Sequence, residues 1–326
     1  MTDIDVSSIC NALVDILVKT EDTTLEKLNL KKGIMHLVDD DRQAEVLKHF
    51  ANSKPVTELG GSCLNAIRTL ASLGSKTHFS GMVGEDAYGK MIHERMDTLN
   101  ISNNLDTSRA STGTCLVLVS PDGERTMNTN LGASRLFDES LVPSEALKNS
   151  KVFHFCGYQW DSDSQKKAIK LAIDIAKANG TKVSFDIADP FVVQNNREDF
   201  LKLIEQSADI VFANQEESKM LFGCSPEDSA KKIAEFGAIG VIKKGAKGAV
   251  VAHKGQTIQI PPIATEVKDT TAAGDMFAAG FLYGYTNEQT LEVCGHIAAT
   301  LAADVICRVG ATVSEAALGK AKSIIQ

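Results

Sequence analysis

The sequence predicts an α/β fold, a doubly wound and mostly parallel sheet with helices on both faces. Three observations carry this. From residue 151 onward, short apolar runs alternate with helical patterns. Between them, 113–119 ("GTCLVLV") and 124–130 flank "SPDGER", whose Pro-Asp-Gly turn marks a hairpin outside that alternation. No linker, repeat or low-complexity stretch divides the 326 residues, so 1–326 reads as a single domain, a length large α/β domains reach.

Taken in order, the first 30 residues read as β, because "IDVSSICNALVDILV" (4–18) is apolar-rich and partly alternating. "DDDRQAEVLKHF" (39–50) predicts a helix with an acidic first turn. A helix follows Gly60 and Gly61, with Leu64, Ile67 and Ala71 at helical spacing. "KTHFSGMV" (76–83) predicts a strand and 87–99 a helix. After the hairpin come strand 151–155 and a helix burying Ala168, Leu171, Ala172 and Ile175 up to Gly180. Strand 181–187, helix 198–206, strand 209–213, helix 214–222 and strand 239–243 complete the alternation. The end is helical, with Leu291, Cys294, Ala298, Leu301 and Val305 spaced three and four apart. Ligands of such sheets bind beyond the carboxyl ends of the strands.

Composition excludes several functions. Net charge is -8 and the basic residues are scattered among acids, so no surface suits a nucleic acid. Seven Cys without a CxxC spacing argue against a disulfide framework or a zinc site, and fit a reducing compartment. "MTDIDVSSIC" has acids where a signal peptide needs positive charge. No window approaches ~18 uninterrupted apolar residues, so neither membrane span nor membrane partner is expected and the location reads as cytoplasmic.

The informative stretch is "DTTAAGDMFAAGF" (269–281). Phe277, Phe281 and Tyr285 fall four apart, the stripe of a helix starting near 272. A helix start exposes unpaired N–H groups and positive dipole, and Ala272, Ala273 and Gly274 let an anion approach the backbone closely. Asp275 then stands beside that anion. A carboxylate there defeats simple anion binding, but suits a base that takes a proton from a hydroxyl attacking a phosphoryl group. Taken alone, Asp275 also reads as an acid complementing a helix dipole.

These residues resemble the C-terminal signature of the ribokinase-like (PfkB) sugar and nucleoside kinases. "GGSCLNA" (60–66) looks like that family's N-terminal signature, and "GEDAYG" (84–89) like its G-x-D-x-x-G turn. "NQEE" (214–217) matches N-x-x-E, and "KKGAKGAVV" (243–251) the nucleotide-side loop. The motifs come in family order across almost the whole chain. "CNALVDI" (10–16), "KKGIMHLVDD" (31–40), "GERTMNTNLGA" (123–133), "GYQWD" (157–161) and "DIADPFVV" (186–193) look more like the adenosine-kinase-like branch.

The resemblance implies a ribokinase-like sheet with a small β-sheet lid, drawn here from about 10–35 and 108–133. It implies ATP-dependent transfer of the γ-phosphate to a primary hydroxyl of a small-molecule acceptor. Adenosine is the first expectation, ribose, fructose or a related free sugar the second, and a catalytically silent nucleoside or sugar sensor the competing class. Asp275 would be the base and Ala272, Ala273 and Gly274 the anion hole. Asp15 would grip two ribose-type hydroxyls, with Asn11, Gly60, Gly61 and Asn65 beside it. Asn214 and Glu217 would lie near the phosphates, Glu217 organising hydrated Mg²⁺, and Gly245 and Gly248 would line ATP. A K⁺ site beside Asp269, Thr271 and the 307–311 loop, and a monomer or homodimer, also belong to the family pattern. An apolar slot for a base would come from Met35, Leu37 and Leu131.

The residues themselves leave alternatives. Asp15 shares a strand face with Leu13 and Leu17, so it needs donors, lies at a site, or sits at an edge facing water. Asn65 fits the polar face of a solvated helix, and Glu217 a surface acid in a first turn. Lys243, where many relatives carry Thr, reaches a phosphate or points to solvent; Lys268 reads as a surface residue. His36 is a lid residue or touches a base, and Trp160 reads as packing. "GEDAYGKM" (84–91) mimics a phosphate loop but lacks its Ser/Thr and carries two acids, so it reads as a turn before a helix.

Overall fold

A computed structural model describes residues 3–325, so Met1, Thr2 and Gln326 of the expected 1–326 domain lie outside the described residues. The strands are β1 (Ile4–Ile9), β2 (Leu13–Lys19), β3 (Met35–Leu37), β4 (Val56–Gly60) and β5 (Thr77–Gly84). β6 (Ser102–Ser108), β7 (Thr112–Val119), β8 (Arg125–Gly132), β9 (Ser150–Cys156) and β10 (Lys182–Asp186) follow. β11 (Ile210–Asn214), β12 (Ile239–Lys243), β13 (Ala249–His253) and β14 (Gln256–Ile260) complete the set.

Nine strands form one sheet in the order β14-β13-β12-β11-β10-β9-β1-β5-β6. It is parallel from β6 to β12 and ends in an antiparallel β12-β13-β14 meander. Apolar cores cover both faces, as the alternation predicts. A five-stranded sheet, β3-β8-β7-β2-β4, lies apart from it. The hairpin is confirmed: β7 and β8 pair antiparallel, with Cys115 opposite Thr129. β4 joins the small sheet antiparallel to β2, a contribution from 56–60 beyond the stretches expected from the sequence.

Several local expectations are corrected. Asp22–Lys27 is a helix within a stretch read as β; only Leu25 of it is buried, so it carries no helical apolar stripe. The helix expected at 198–206 begins at Pro190, capped by the Asp189 side chain on Phe191 N–H, and breaks at Asn196 (φ -133°). Proline at the first turn is the start signal, and the interruption hides the periodicity. In the helix Asp163–Ala178, Ile169, Ile173 and Ala176 join Ala168 and Ala172 in the core, while Leu171 and Ile175 are only partly covered. β4, β6, β13, β14 and the helix Pro226–Glu235 were not anticipated; the edge strand β6 (SNNLDTS) has little apolar signal. The helix Ala273–Thr286 is buried nearly all round rather than along a stripe, because it packs between the sheet and the helices Leu291–Val305 and Ser62–Leu73. Among the described residues no helix is long and apolar enough to cross a membrane.

Candidate active site

The carboxyl ends of the parallel strands open into a cavity of about 1440 Å³, bounded on one side by the small sheet. Of the residues expected to serve catalysis, the acceptor, ATP or the divalent ion, all line it except Gly60, whereas His36, Lys268 and Asp269 do not. Gly60 is bare because Asp15 leans on it: a Cβ there would stand 2.1 Å from Asp15 Oδ1.

Asp275 sits in the first turn of Ala273–Thr286. Ser62 Oγ donates to its Oδ1 at 2.7 Å and Asn65 Nδ2 to its Oδ2 at 2.9 Å. Asn65 is therefore a buried partner of the carboxylate, not part of a solvated face. Burial pushes the Asp275 carboxyl up to about 6, while these two hydrogen bonds pull the other way. Each carboxylate oxygen keeps a lone pair for a further hydroxyl. Ala272, the N-cap, is left-handed at φ +54°, a region glycine enters freely and alanine at a cost of about 1–2 kcal/mol. Ala188, also on the cavity wall, is left-handed at φ +82°. Strained backbone of this kind clusters at functional sites.

Asp15 faces the cavity from β2 with no hydrogen-bond donor among the described residues, which disposes of the edge-strand alternative. Burial first, then the charge of Asp275, raises it to about 7. Asn11 is held from behind: Gln159 Nε2 and Gln165 Nε2 donate to its Oδ1 at 2.9 and 2.8 Å. Gly61 caps the Asn65 helix at φ +101°, and a Cβ there would meet Asn11 O at 2.3 Å.

Across the cavity, Asn214 and Glu217 close a capping box. Asn214 N–H and Nδ2 donate to the two Glu217 oxygens at 2.7 and 2.6 Å. Burial raises Glu217 to about 7; Lys243 opposes this and Asp186 adds to it. The surface-acid alternative for Glu217 fails, since it is buried. Lys243 does not point to solvent: its Nζ lies 3.3 Å from Asp186 Oδ2, and close beside Gly274. Burial alone would lower its pKa, yet the charges of Asp186 and Glu217 hold it raised. Gly245 and Gly248 shape the turn between β12 and β13 at φ +58° and +80°. Trp160 packs on Phe155, Phe185 and Phe200, as expected. His36 Nε2 contacts Lys31 O, and Asp86 caps the helix Ala87–Thr98, so the decoy motif is a turn. Lys268 is exposed, as read.

Three site residues escaped sequence reading. Ser62 contacts Asp275 across 213 positions, a pairing that only the fold creates. Asp186 answers Lys243 from the end of β10, where a strand-terminal acid before a helix cap was the available signal. Arg125, on β8, forms a buried ion pair with Asp269. Asp269 also accepts from Thr271 N–H and Gly310 N–H. Its charge is thus already met by a guanidinium, and these residues do not fit a K⁺ ion. The divalent site fits better: Asp186, Asp189, Glu216 and Glu217 line one wall, and their mutual repulsion raises Glu217 and Asp189 beyond what burial does. A cation carried in with a nucleotide relieves that wall.

The description of the pfkB family carbohydrate kinase fits residues 27–317. A probable sugar kinase protein from Rhizobium etli CFN 42 superposes with a TM-score of 0.92 at 33% identity, covering 99% of each chain. Adenosine kinase from Sinorhizobium meliloti superposes with a TM-score of 0.91 at 32% identity, covering 98% of this chain and 99% of the other. Adenosine kinase of Dictyostelium discoideum is 28% identical over 96% of this chain and 97% of its own.

Proposed function

The chain belongs to the pfkB family of carbohydrate kinases, a phosphotransferase with an alcohol acceptor, and on that premise we propose that it phosphorylates the primary hydroxyl of a nucleoside, adenosine first. One observation carries the choice of acceptor. Around Asp15, which it also carries, the small sheet presents Leu13, Met35, Leu37, Val117, Met127 and Leu131 to the cavity. An apolar wall of that extent suits a purine face, whereas a free sugar needs polar closure.

In this reading Asp15 accepts hydrogen bonds from two ribose hydroxyls, its missing donors. Asp275, steadied by Ser62 and Asn65, takes the proton of the attacking hydroxyl. The backbone N–H groups of Ala272, Ala273 and Gly274 receive the transferring phosphoryl, and Lys243 places a second positive charge beside them. Gly245 and Gly248 line the nucleotide base and ribose. Mg²⁺ supplies charge neutralisation of the phosphates when bound. Both Glu217 oxygens are engaged by Asn214, so Glu217 acts on a hydrated ion rather than as a direct ligand. The small sheet serves as a lid that excludes water and limits ATP hydrolysis.

The test is ADP release from Mg·ATP with adenosine, guanosine, inosine, ribose, fructose or no acceptor. Adenosine is expected to give the highest kcat/KM. Turnover of ribose or fructose above every nucleoside overturns the acceptor assignment, and nucleoside binding without ADP release overturns the kinase.

At saturating Mg·ATP, where Glu217 already faces a bound cation, the pH profile of kcat/KM for the acceptor follows from the other two raised carboxyls, Asp15 and Asp275. Both must be ionised, one to bind and one to accept a proton. Expected kcat/KM is flat at alkaline pH, bends as pH falls through about 7, bends again near about 6, and approaches a slope of two below. Asp15→Asn should leave a single bend. A single bend in the unsubstituted enzyme would contradict the pairing.

A further inference from the structure

Behind the acceptor half of the cavity lie three thiols that the phosphoryl-transfer reading does not use. Cys10 follows β1, Cys156 ends β9, and Cys63 sits in the first turn of the helix Ser62–Leu73. They are 53 or more positions apart in sequence, which is why no CxxC spacing announces them. The fold nevertheless brings their three Sγ atoms within 4.8 Å of one another. The Cys10 and Cys156 sulfurs are 3.7 Å apart. All three side chains are buried, and Cys10 alone reaches the cavity wall.

We propose that Cys10, Cys63 and Cys156 form a three-sulfur site for a soft, thiophilic d¹⁰ metal ion, entered from the acceptor cavity. The geometry fits: metal–sulfur bonds of about 2.3 Å in a trigonal plane put the sulfurs about 4.0 Å apart. The chemistry fits as well, because an all-thiolate set without imidazole or carboxylate selects soft ions and rejects Mg²⁺. Binding replaces each ligating S–H proton by the metal, so three protons pass to solvent for one ion. The ion would tie together three segments of the acceptor site. Cys10 precedes Asn11, Cys63 follows Ser62, and Cys156 Sγ lies 3.6 Å from Gln159 Oε1, whose amide holds Asn11.

The experiment is a Cd²⁺ titration of the full chain carrying Cys224→Ser and Cys307→Ser, which removes the two thiols that are not fully buried. Expected is a thiolate-to-metal charge-transfer band saturating at one Cd²⁺ per chain, lost on adding Cys63→Ala or Cys156→Ala. No band at equimolar Cd²⁺, or a band that survives Cys63→Ala, overturns the site. Should either alanine variant fail to fold by circular dichroism, X-ray absorption of the Cd²⁺-loaded parent decides: three sulfur neighbours uphold the proposal, and oxygen or nitrogen neighbours with fewer sulfurs overturn it. The readout is metal binding, so it stands apart from the identity of the phosphate acceptor.

Discussion

Asp275→Asn is expected to lower kcat about 10²–10⁴-fold, the usual worth of a positioned general base, with acceptor and ATP binding retained. The substitution isolates basicity from shape. An amide at 275 can accept from Asn65 Nδ2 through its oxygen and donate to Ser62 Oγ through its nitrogen, so both present contacts, 2.9 and 2.7 Å, have a neutral counterpart. Only the proton acceptor and its charge are lost. Single-turnover phosphoryl transfer alongside equilibrium binding separates the two. Undiminished turnover in the variant would remove Asp275 from the chemistry.

Stability gives an independent check on the same variant. A carboxyl raised to about 6 in the native state binds a proton more tightly there than in the unfolded chain. Its favourable contribution is complete below the unfolded value, near 4, and is lost as pH rises through about 6. At pH 7–8 the ionised, buried Asp275 therefore destabilises the fold, and Asp275→Asn should melt higher than the parent. That advantage should shrink as pH falls toward 4. A variant that is inactive yet more stable at pH 8 has lost a functional group, not its structure.

How much of this was legible before folding depends on distance along the chain. The mouth of Ala273–Thr286 was readable because anion hole, carboxylate and apolar continuation are contiguous, and small residues have few other reasons to precede a buried helix. The alternating strands were readable because strands buried on both faces of a parallel sheet are nearly continuous apolar runs. Asn65 was misjudged on its own residues for the opposite reason: a polar group on a helix looks solvated until a carboxylate from 210 positions away is packed against it. Ser62, Asp186 and Arg125 are of the same kind, since each acquires its meaning from a partner that the topology supplies. Lys243 shows the intermediate case. Its position in the nucleotide-side loop was visible, but its direction depends on Asp186 at the end of the neighbouring strand but one.

Asp15→Ala is expected to reduce kcat/KM for adenosine about 10²–10⁴-fold. Two hydrogen bonds from hydroxyls to a carboxylate contribute about 1.5–3 kcal/mol each, and each 1.4 kcal/mol is tenfold. The case for so large an effect is that Asp15 has a structural cost and no structural partner. Burial and the charge of Asp275 raise it to about 7, no donor among the described residues reaches it, and Gly60 has been left without a side chain to make room. Such an arrangement is sustained by something that arrives from outside. The discriminating measurement uses 2′-deoxy- and 3′-deoxyadenosine. With the parent enzyme each should lose part of the same affinity, because each lacks one of the two donors. In Asp15→Ala the three nucleosides should converge, since the carboxylate that distinguishes them is gone. If Asp15→Ala instead weakens all three equally and preserves their ranking, Asp15 serves the packing of β2 against β4, and the ribose must be held by another group in the cavity.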